Sequence, residues 1–455
     1  MPTTRLVRDF SSQTATNDKI CTISFWFKFT ETLTGGSDRW LFGEYTGSQD
    51  HAYIYLRNDK SIGVYGRASG SSTFSLITNR KFYDQSGWYH CVVACDTTQA
   101  TAADRIKLYI NGEQITSWAT ESHPSQNLVL RWNNDGAYHY IGGVNGVLTH
   151  YDGLMSHFHL CDGQQLAPTV FGETDSTTGE WSIITAPSFT PGTCGFSILK
   201  DGNSVTDVSA NSNNWTVQAG NLTNTKDCPD NVFATVNPLV RHQTTNTNGN
   251  LRVANGTTNW YGIPATLGAS SGKYYWEYKL TVGNSWSQCG VMSSKPNGGY
   301  DGIYSTYVGA NSGGLALNSG QGDFYNDGSN GAYGTSAWFS GGLAEGDIIG
   351  VALDATNSKI WFAKNGTWGN SSNPSTDSGA IDFSGDTDFT NHKPYLPAFS
   401  VHNCTVDINF GNGTFGTTAV ATNSGNGYQD ADGNGIFNYT VPTNYRALCT
   451  KGLNQ

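Results

Sequence analysis

The chain has 455 residues, enough for roughly two to three domains that can each bury a core. Charged residues make up 13% against a usual ~25%, while aromatics also reach 13% and glycines number 55. So few charges cannot solvate the surfaces of many helices, and 37% apolar residues are enough to offset chain entropy. A helix-rich protein and a disordered one are both excluded, which leaves an all-β chain with long polar loops. The net charge of −11 excludes the basic footprint that nucleic acid needs.

Residues 1–20 contain Arg5, Arg8, Asp9, Asp18 and Lys19 and no apolar stretch, so no secretory signal is expected and synthesis is assigned to a cytoplasm. No run approaches the ~20 apolar residues of a membrane helix, so membrane insertion is not expected. Nine cysteines, at 21, 91, 95, 161, 194, 228, 289, 404 and 449, form no CxxC pair and read as buried free thiols.

Period-two alternation bounded by turn residues dominates from the first strand onward. In ISFWFKF, Ile23, Phe25, Phe27 and Phe29 point one way and Trp26 and Lys28 the other; in AYIYLRN, Ala52, Ile54 and Leu56 oppose Tyr53 and Tyr55. WYHCVVACD and IKLYI follow, and Asn111-Gly112 supplies the left-handed turn of a tight hairpin. Residues 171–248 lose the alternation and fill with Asn, Thr, Asp and Pro, the composition of a loop-rich connector; its Trp181, Phe189, Phe196, Trp215 and Phe233 predict that it packs on a sandwich face. From 249 the same grammar restarts with KYYWEYKLTV, SQCGVMS, IIGVALD and KIWFAK, then a second hairpin at Asn365-Gly366. The reading is two antiparallel, jelly-roll-like β-sandwiches at 1–170 and 249–418, joined by the 171–248 connector and followed by a tail at 419–455.

Chemistry-bearing motifs are sparse. Glutamate occurs only at 31, 44, 113, 121, 173, 180, 277 and 345, so the ExDxxE strand of sandwich-fold glycosidases is missing; Glu173 with Asp175 comes nearest. DADGNG places Asp430, Asp432 and Asn434 at the first, third and fifth positions of a calcium loop, but Val441 stands where the bidentate Glu belongs. A metal-free loop is the preferred reading there, with weak calcium binding the alternative. His157 with His159, and Cys91 with Cys95, share strand faces without a third or fourth ligand in register, and read as packed side chains. Gly411 to Gly416 satisfies GxGxxG formally but opens no helix, so no dinucleotide site is assigned. The remaining candidates are aromatics in or beside Gly/Ser/Asn loops: Trp260, Tyr261, Trp286, Tyr300, Tyr304, Tyr307, Trp338 and Trp368. Each could stack on a sugar or partner chain, or plug an end of the core.

Several segments resemble known families. GWYHCVVACDTT from Gly87, RIKLYINGEQI from Arg105, YIGG from Tyr140 and YDGLMSHFHLCDGQQLAP from Tyr151 resemble the laminin-G/concanavalin-A-like sandwich, in the version carried by structural proteins of tailed, especially marine, bacteriophages. LAPTVFGETDSTTGEW, SANSNNW with DNVFATVNPL, and the closing YTVPTNYRALCTKGL resemble the connector and terminal signature of that viral family. SGKYYWEYKL, GDIIGVALDATNSKIWFAKNGTW, YLPAFSV and VDINFG resemble a SPRY domain, in its order.

The resemblance implies a non-enzymatic virion component, such as a tail fibre, appendage or head decoration, located on the particle. It would dock to other virion proteins, present loops to host-surface glycans or proteins, and form a homo-oligomer, a trimer being favoured. No cofactor is expected apart from the calcium alternative. A polysaccharide depolymerase on the concanavalin-A-like fold and a cellular SPRY adaptor are the rival readings.

Overall fold

The computed structural model describes residues 4–30, 38–133, 137–144, 150–200, 204–240, 244–283, 286–296, 306–330, 338–420 and 428–453. They form two compact units, Met1–Thr223 and Asn224–Gln455.

The first unit is a sandwich of an eight-stranded and a six-stranded antiparallel sheet. The larger runs in the spatial order Trp118–Ser122, Ser71–Thr78, Ile62–Ala68, Asp50–Leu56, Arg39–Gly47, Tyr138–Ile141, Arg5–Asp9 and Thr216–Ala219. The smaller runs Phe196–Ile198, Gly153–Asp162, Ile20–Phe29, Tyr89–Asp96, Ile106–Ile110 and Glu113–Gln114. Alternation sorts the side chains as the sequence predicts: Ile23, Phe25, Phe27 and Phe29 meet Ala52, Ile54 and Leu56 in one core, and Tyr53 and Trp26 lie outside it. Asn111 and Gly112 adopt φ of +51° and +78°, which gives the predicted primed turn. All nine cysteines are free thiols.

The segment expected as a connector is shared between the units. Phe196–Ile198 joins the six-stranded sheet, Thr216–Ala219 joins the eight-stranded sheet, and Thr245–Thr247 edges a sheet of the second unit. Its strands are too short to alternate visibly, and buried polar side chains hold them instead. Asp207 accepts from the backbone N–H of Ser197 at 2.8 Å and Ser209 at 2.9 Å through Oδ1, and from that of Asn213 at 2.8 Å through Oδ2. Asp162 does the same for Thr16 at 2.7 Å and Cys194 at 3.0 Å. A buried carboxylate with several N–H donors is satisfied, so these Asp residues fix loops that hydrophobic burial alone would not.

The hairpin of Gly172–Thr174 and Trp181–Ile183 straps the outer face of the six-stranded sheet. There Trp181 Nε1 donates to His90 Nδ1 at 3.0 Å, His90 Nε2 lies 2.9 Å from Ser24 Oγ, and the His90 ring stacks on Trp26 at 4.6 Å. His159 Nδ1 lies 2.9 Å from Ser197 Oγ and its ring stacks on Phe171 at 5.7 Å.

The second unit pairs a nine-stranded with a six-stranded sheet. The larger follows Thr245–Thr247, Arg252–Asn255, Cys404–Asn409, Lys273–Gly283, Ile348–Asp354, Lys359–Lys364 and Thr367–Trp368, with Ile381–Asp382 and Arg446–Ala447 branching from it. The smaller follows Tyr261–Pro264, Tyr395–Val401, Ser287–Ser293, Gly314–Asn318, Phe324–Asn326 and Ser329–Asn330. Asn365 and Gly366 repeat the primed turn at φ +49° and +82°.

Part of the segment expected as a tail, within the described residues 428–453, joins the core. Arg446–Ala447 pairs in parallel with Tyr274 and Tyr275, and Phe437, Tyr445, Leu448 and Cys449 are buried. Glu277 holds it there. This fully buried carboxylate accepts from the backbone N–H of Asn438 and Tyr439 at 2.8 Å each and from Asn409 Nδ2 at 3.1 Å.

Two outcomes follow from these buried groups. Burial lowers His90 and His159 to about 3, below the ~6.5 of an unfolded histidine. The unfolded chain therefore takes up protons that the fold refuses, and the first unit loses about 1.4 kcal/mol per histidine per pH unit below 6.5. Its thermal transition should fall between pH 7 and pH 5; an unchanged midpoint would contradict the burial. Glu277 has the opposite sign, because burial raises it to about 7. Its contribution is full below ~4.5 and declines as pH rises to about 7, a slope that Glu277→Gln should abolish in pH-dependent denaturation of the second unit. Glu277→Ala strands two partly buried amides and the buried Asn409 side chain and should cost about 3 kcal/mol by urea unfolding.

Candidate aromatic ligand surface

Three strands of the second unit's six-stranded sheet, Tyr261–Pro264, Tyr395–Val401 and Ser287–Ser293, are neighbours in register, with Tyr261 and Ser287 both opposite Val401. Tyr261 and Val401 face the core, at 4% and 1% exposure. Parity therefore sends the residues one step beyond, Trp260, His402 and Trp286, to the outer face as a single cross-strand row. The ring centroids of Trp260 and His402 lie 5.2 Å apart, those of Trp286 and His402 5.9 Å, and those of the two indoles 6.2 Å. His402 N–H donates to the Trp286 carbonyl at 3.1 Å, which locks the row. Tyr307 leans on Trp260 at 5.5 Å and on Tyr325 at 5.5 Å, extending the aromatic surface over the sheet. Trp286 is 47% exposed, while Trp260, His402, Tyr307 and Tyr325 are half-buried. Exposed indole clustered with further rings is a feature of surfaces that meet a ligand.

The other sequence candidates do not join this row. Tyr261 is a core residue. Trp338, 7% exposed, packs edge-on against Phe324 at 5.2 Å, and Trp368 is half-buried 6.4 Å from Tyr275. Both plug the core. Tyr300 and Tyr304 lie outside the described residues. His402 and Tyr325 were not singled out by composition, although His402 continues the alternation of YLPAFSV on its outward side.

Of the acidic candidates, Asp430, Asp432 and Asp175 are committed to structure, while Glu173 is exposed on the strap hairpin. Asp430 Oδ1 accepts from the N–H of Gly435 and Oδ2 from that of Ala447, each at 2.8 Å, Asp432 pairs with Arg446 at 2.5 Å, and Asn434 is half-buried beside them. Those contacts close a turn against the strand Arg446–Ala447. Asp175 Oδ1 accepts from Thr177 and Thr178 N–H at 2.8 and 2.7 Å, capping its hairpin loop. Glu44 is clasped by Arg131 at 2.5 and 3.0 Å. His157 Nδ1 lies 2.7 Å from Ser156 Oγ, with its ring 6.4 Å from that of His159. Among the described residues no three His, Cys, Asp or Glu side chains converge as a metal site.

Residues 8–170 match the concanavalin A-like lectin/glucanases superfamily, and residues 273–413 match the SPRY domain. The chain carries a concanavalin A-like domain followed by a SPRY domain. Such domains suggest a binding or interaction role. Among solved structures, the SPRY domain of human HERC1 is 18% identical, over 38% of this chain and 96% of that one, with a TM-score of 0.28. The TRIM65 PSpry domain is 12% identical, over 39% and 91%, with a TM-score of 0.28. The native heptameric SAP-like pentraxin from Limulus polyphemus is 15% identical, over 36% and 72%, with a TM-score of 0.26. No curated protein matches the chain. Among the described residues no helix is long and apolar enough to cross a membrane.

The two kinds of aromatic position in the SPRY domain should separate on truncation. Trp338→Ala should cost about 3–5 kcal/mol in thermal or urea unfolding, as a core cavity does. Trp286→Ala, at a half-exposed ring, should cost less than about 1 kcal/mol.

Proposed function

We propose that this protein is a non-enzymatic binding component of a tailed-phage particle, and that the outer aromatic face of its SPRY domain contacts a host-surface ligand. The observation that carries the binding role is the Trp260–His402–Trp286 row, with Trp286 47% exposed among rings held by three registered strands. The particle setting is supported by the resemblance of 166–181, 209–239 and 439–453 to segments of viral structural proteins. A charge-poor β scaffold suits it: rigid strands hold rings in place, and several copies, a trimer in this reading, turn weak contacts into avidity. The assigned carboxylates act as turn caps and clamps, which favours binding over sugar cleavage.

Purified protein should bind host cells, and the Trp260→Ala/Trp286→Ala pair should lower that binding about tenfold or more without unfolding the chain. Antibody raised against the protein should decorate intact particles in electron micrographs. Undiminished cell binding by the double variant would remove the aromatic face from the mechanism, unlabelled particles would remove the virion setting, and release of soluble sugar from host envelopes would replace binding with depolymerase activity.

A further inference from the structure

The strap on the first unit is held differently from the strands beneath it, which are tied by backbone ladders. Segment 167–190 is bounded by Leu166, whose N–H donates to Thr22 Oγ1 at 2.8 Å, and by Pro191, whose carbonyl accepts from Asp162 N–H at 2.7 Å. Among the described residues, its backbone between those anchors bonds only within the segment, and its one hydrogen bond to the rest of the unit runs from Trp181 Nε1 to His90 Nδ1. Its three rings rest on two histidines. Trp181 stacks on His90 at 6.0 Å, Phe171 stacks on His159 at 5.7 Å, and Phe189 meets His159 edge-on at 5.5 Å. The fit is close, since a Cβ on Gly112 or Gly172 would lie 2.5 or 2.7 Å from the Trp181 ring. Phe171 also packs on Val92 and Cys161, both buried.

We propose that segment 167–190 is an acid-released strap, which in mild acid leaves the outer face of the six-stranded sheet and uncovers His90, His159 and Cys161 while both sheets of the unit stay folded. A neutral imidazole accepts the Trp181 N–H at Nδ1, whereas an imidazolium carries protons on both nitrogens and sets one donor against another. The surroundings give a cation no counterion. Ser24 and Trp26 face His90 from the neighbouring strand, and Ser197 faces His159. His157 and Lys200 act on His159 as further positive charges, and Lys28 stands two residues along from Trp26 on its strand. Tyr109 and Cys161 bring a phenol and a thiol, which already hold their protons, and the strap's own Glu173, Asp175 and Glu180 are exposed. Among the described residues no carboxylate acts on either ring. With the strap in place, burial keeps both histidines neutral down to about 3; with it off, solvated imidazoles titrate near ~6.5. Protons therefore bind the released state, and release gains roughly 25-fold per histidine, or about 600-fold for the pair, between pH 7 and pH 5. Unfolding of the whole unit gains the same factor but must also break the ladders, so the strap opens first.

Two cysteines separate strap release from unfolding: Cys161 lies under the strap, and Cys91 lies in the core between the sheets. The full chain is treated with dithiodipyridine at pH 7, 6 and 5, labelled sites are read by mass spectrometry, and each rate is divided by that of a free cysteine peptide at the same pH. Normalised Cys161 labelling should rise roughly 600-fold from pH 7 to pH 5, ahead of Cys91. His90→Gln keeps a neutral acceptor for the Trp181 N–H and should cut that rise to about 25-fold. Trp181→Phe deletes the one hydrogen bond without touching the core, and should raise Cys161 labelling at pH 7 about tenfold with Cys91 still protected. Cys161 labelling that stays flat between pH 7 and pH 5 would overturn the strap, and so would a rise that Cys91 matches step for step, because that is unfolding of the whole unit. A full rise retained by His90→Gln would overturn His90 as a trigger, and unchanged Cys161 protection in Trp181→Phe would overturn the Trp181 contact as the tether.

Discussion

Everything distinctive about this protein depends on the pleat of its strands, which sends successive side chains to opposite faces of a sheet. In the concanavalin A-like unit that rule drives Phe25 and Phe27 inward and Trp26 outward, where it becomes the floor beneath His90. In the SPRY unit the same rule buries Tyr261 and Val401 and aligns Trp260, His402 and Trp286 on the opposite side. A one-residue slip in either strand pairing would bury the aromatic row and expose the core. The interior and the outer aromatic face are therefore set by one register.

Loops in such a glycine-rich, charge-poor chain need other anchors, and buried polar side chains supply them. Asp162 and Asp207 gather backbone amides in the first unit, and Glu277 gathers those of Asn438 and Tyr439 in the second. Each takes a carboxylate out of water, which is tolerable only because several donors converge on it. Carboxylates committed to backbone donors hold structure. Strap and core respond to acid in opposite senses, since His90 resists protonation and Glu277 resists ionisation.

Local patterns in the sequence were enough for the strands and their turns. Phe25, Ile54, Asn111-Gly112 and Asn365-Gly366 each signal their place within a few residues. The packing of the connector was legible in its aromatics, since Phe196, Trp215 and Phe233 are buried in the cores, but the strand partners of connector and tail were not, because their order comes from distant residues: Glu277 meets Asn438 across 161 residues, and no local pattern in NYTVP announces it. The same limit applies to the aromatic candidates. Trp286 and Trp338 stand in similar Gly/Ser surroundings, yet one is half exposed at the end of a strand and the other is nearly buried against Phe324 and Phe362, which lie far from it or are not announced by its neighbours. His402 was legible in principle, since it follows Ser400 on the outward side of YLPAFSV, but its importance arises only when Trp260 and Trp286 flank it from two other strands.

The most direct test of this account follows the indole N–H signals of the thirteen tryptophans by NMR, with assignment by single substitution, as solubilised host-envelope fragments are titrated in. The account predicts that the signals of Trp260 and Trp286 move together while that of core Trp338 stays in place. Shifts confined to other tryptophans, with Trp260 and Trp286 unmoved at saturation, would contradict it.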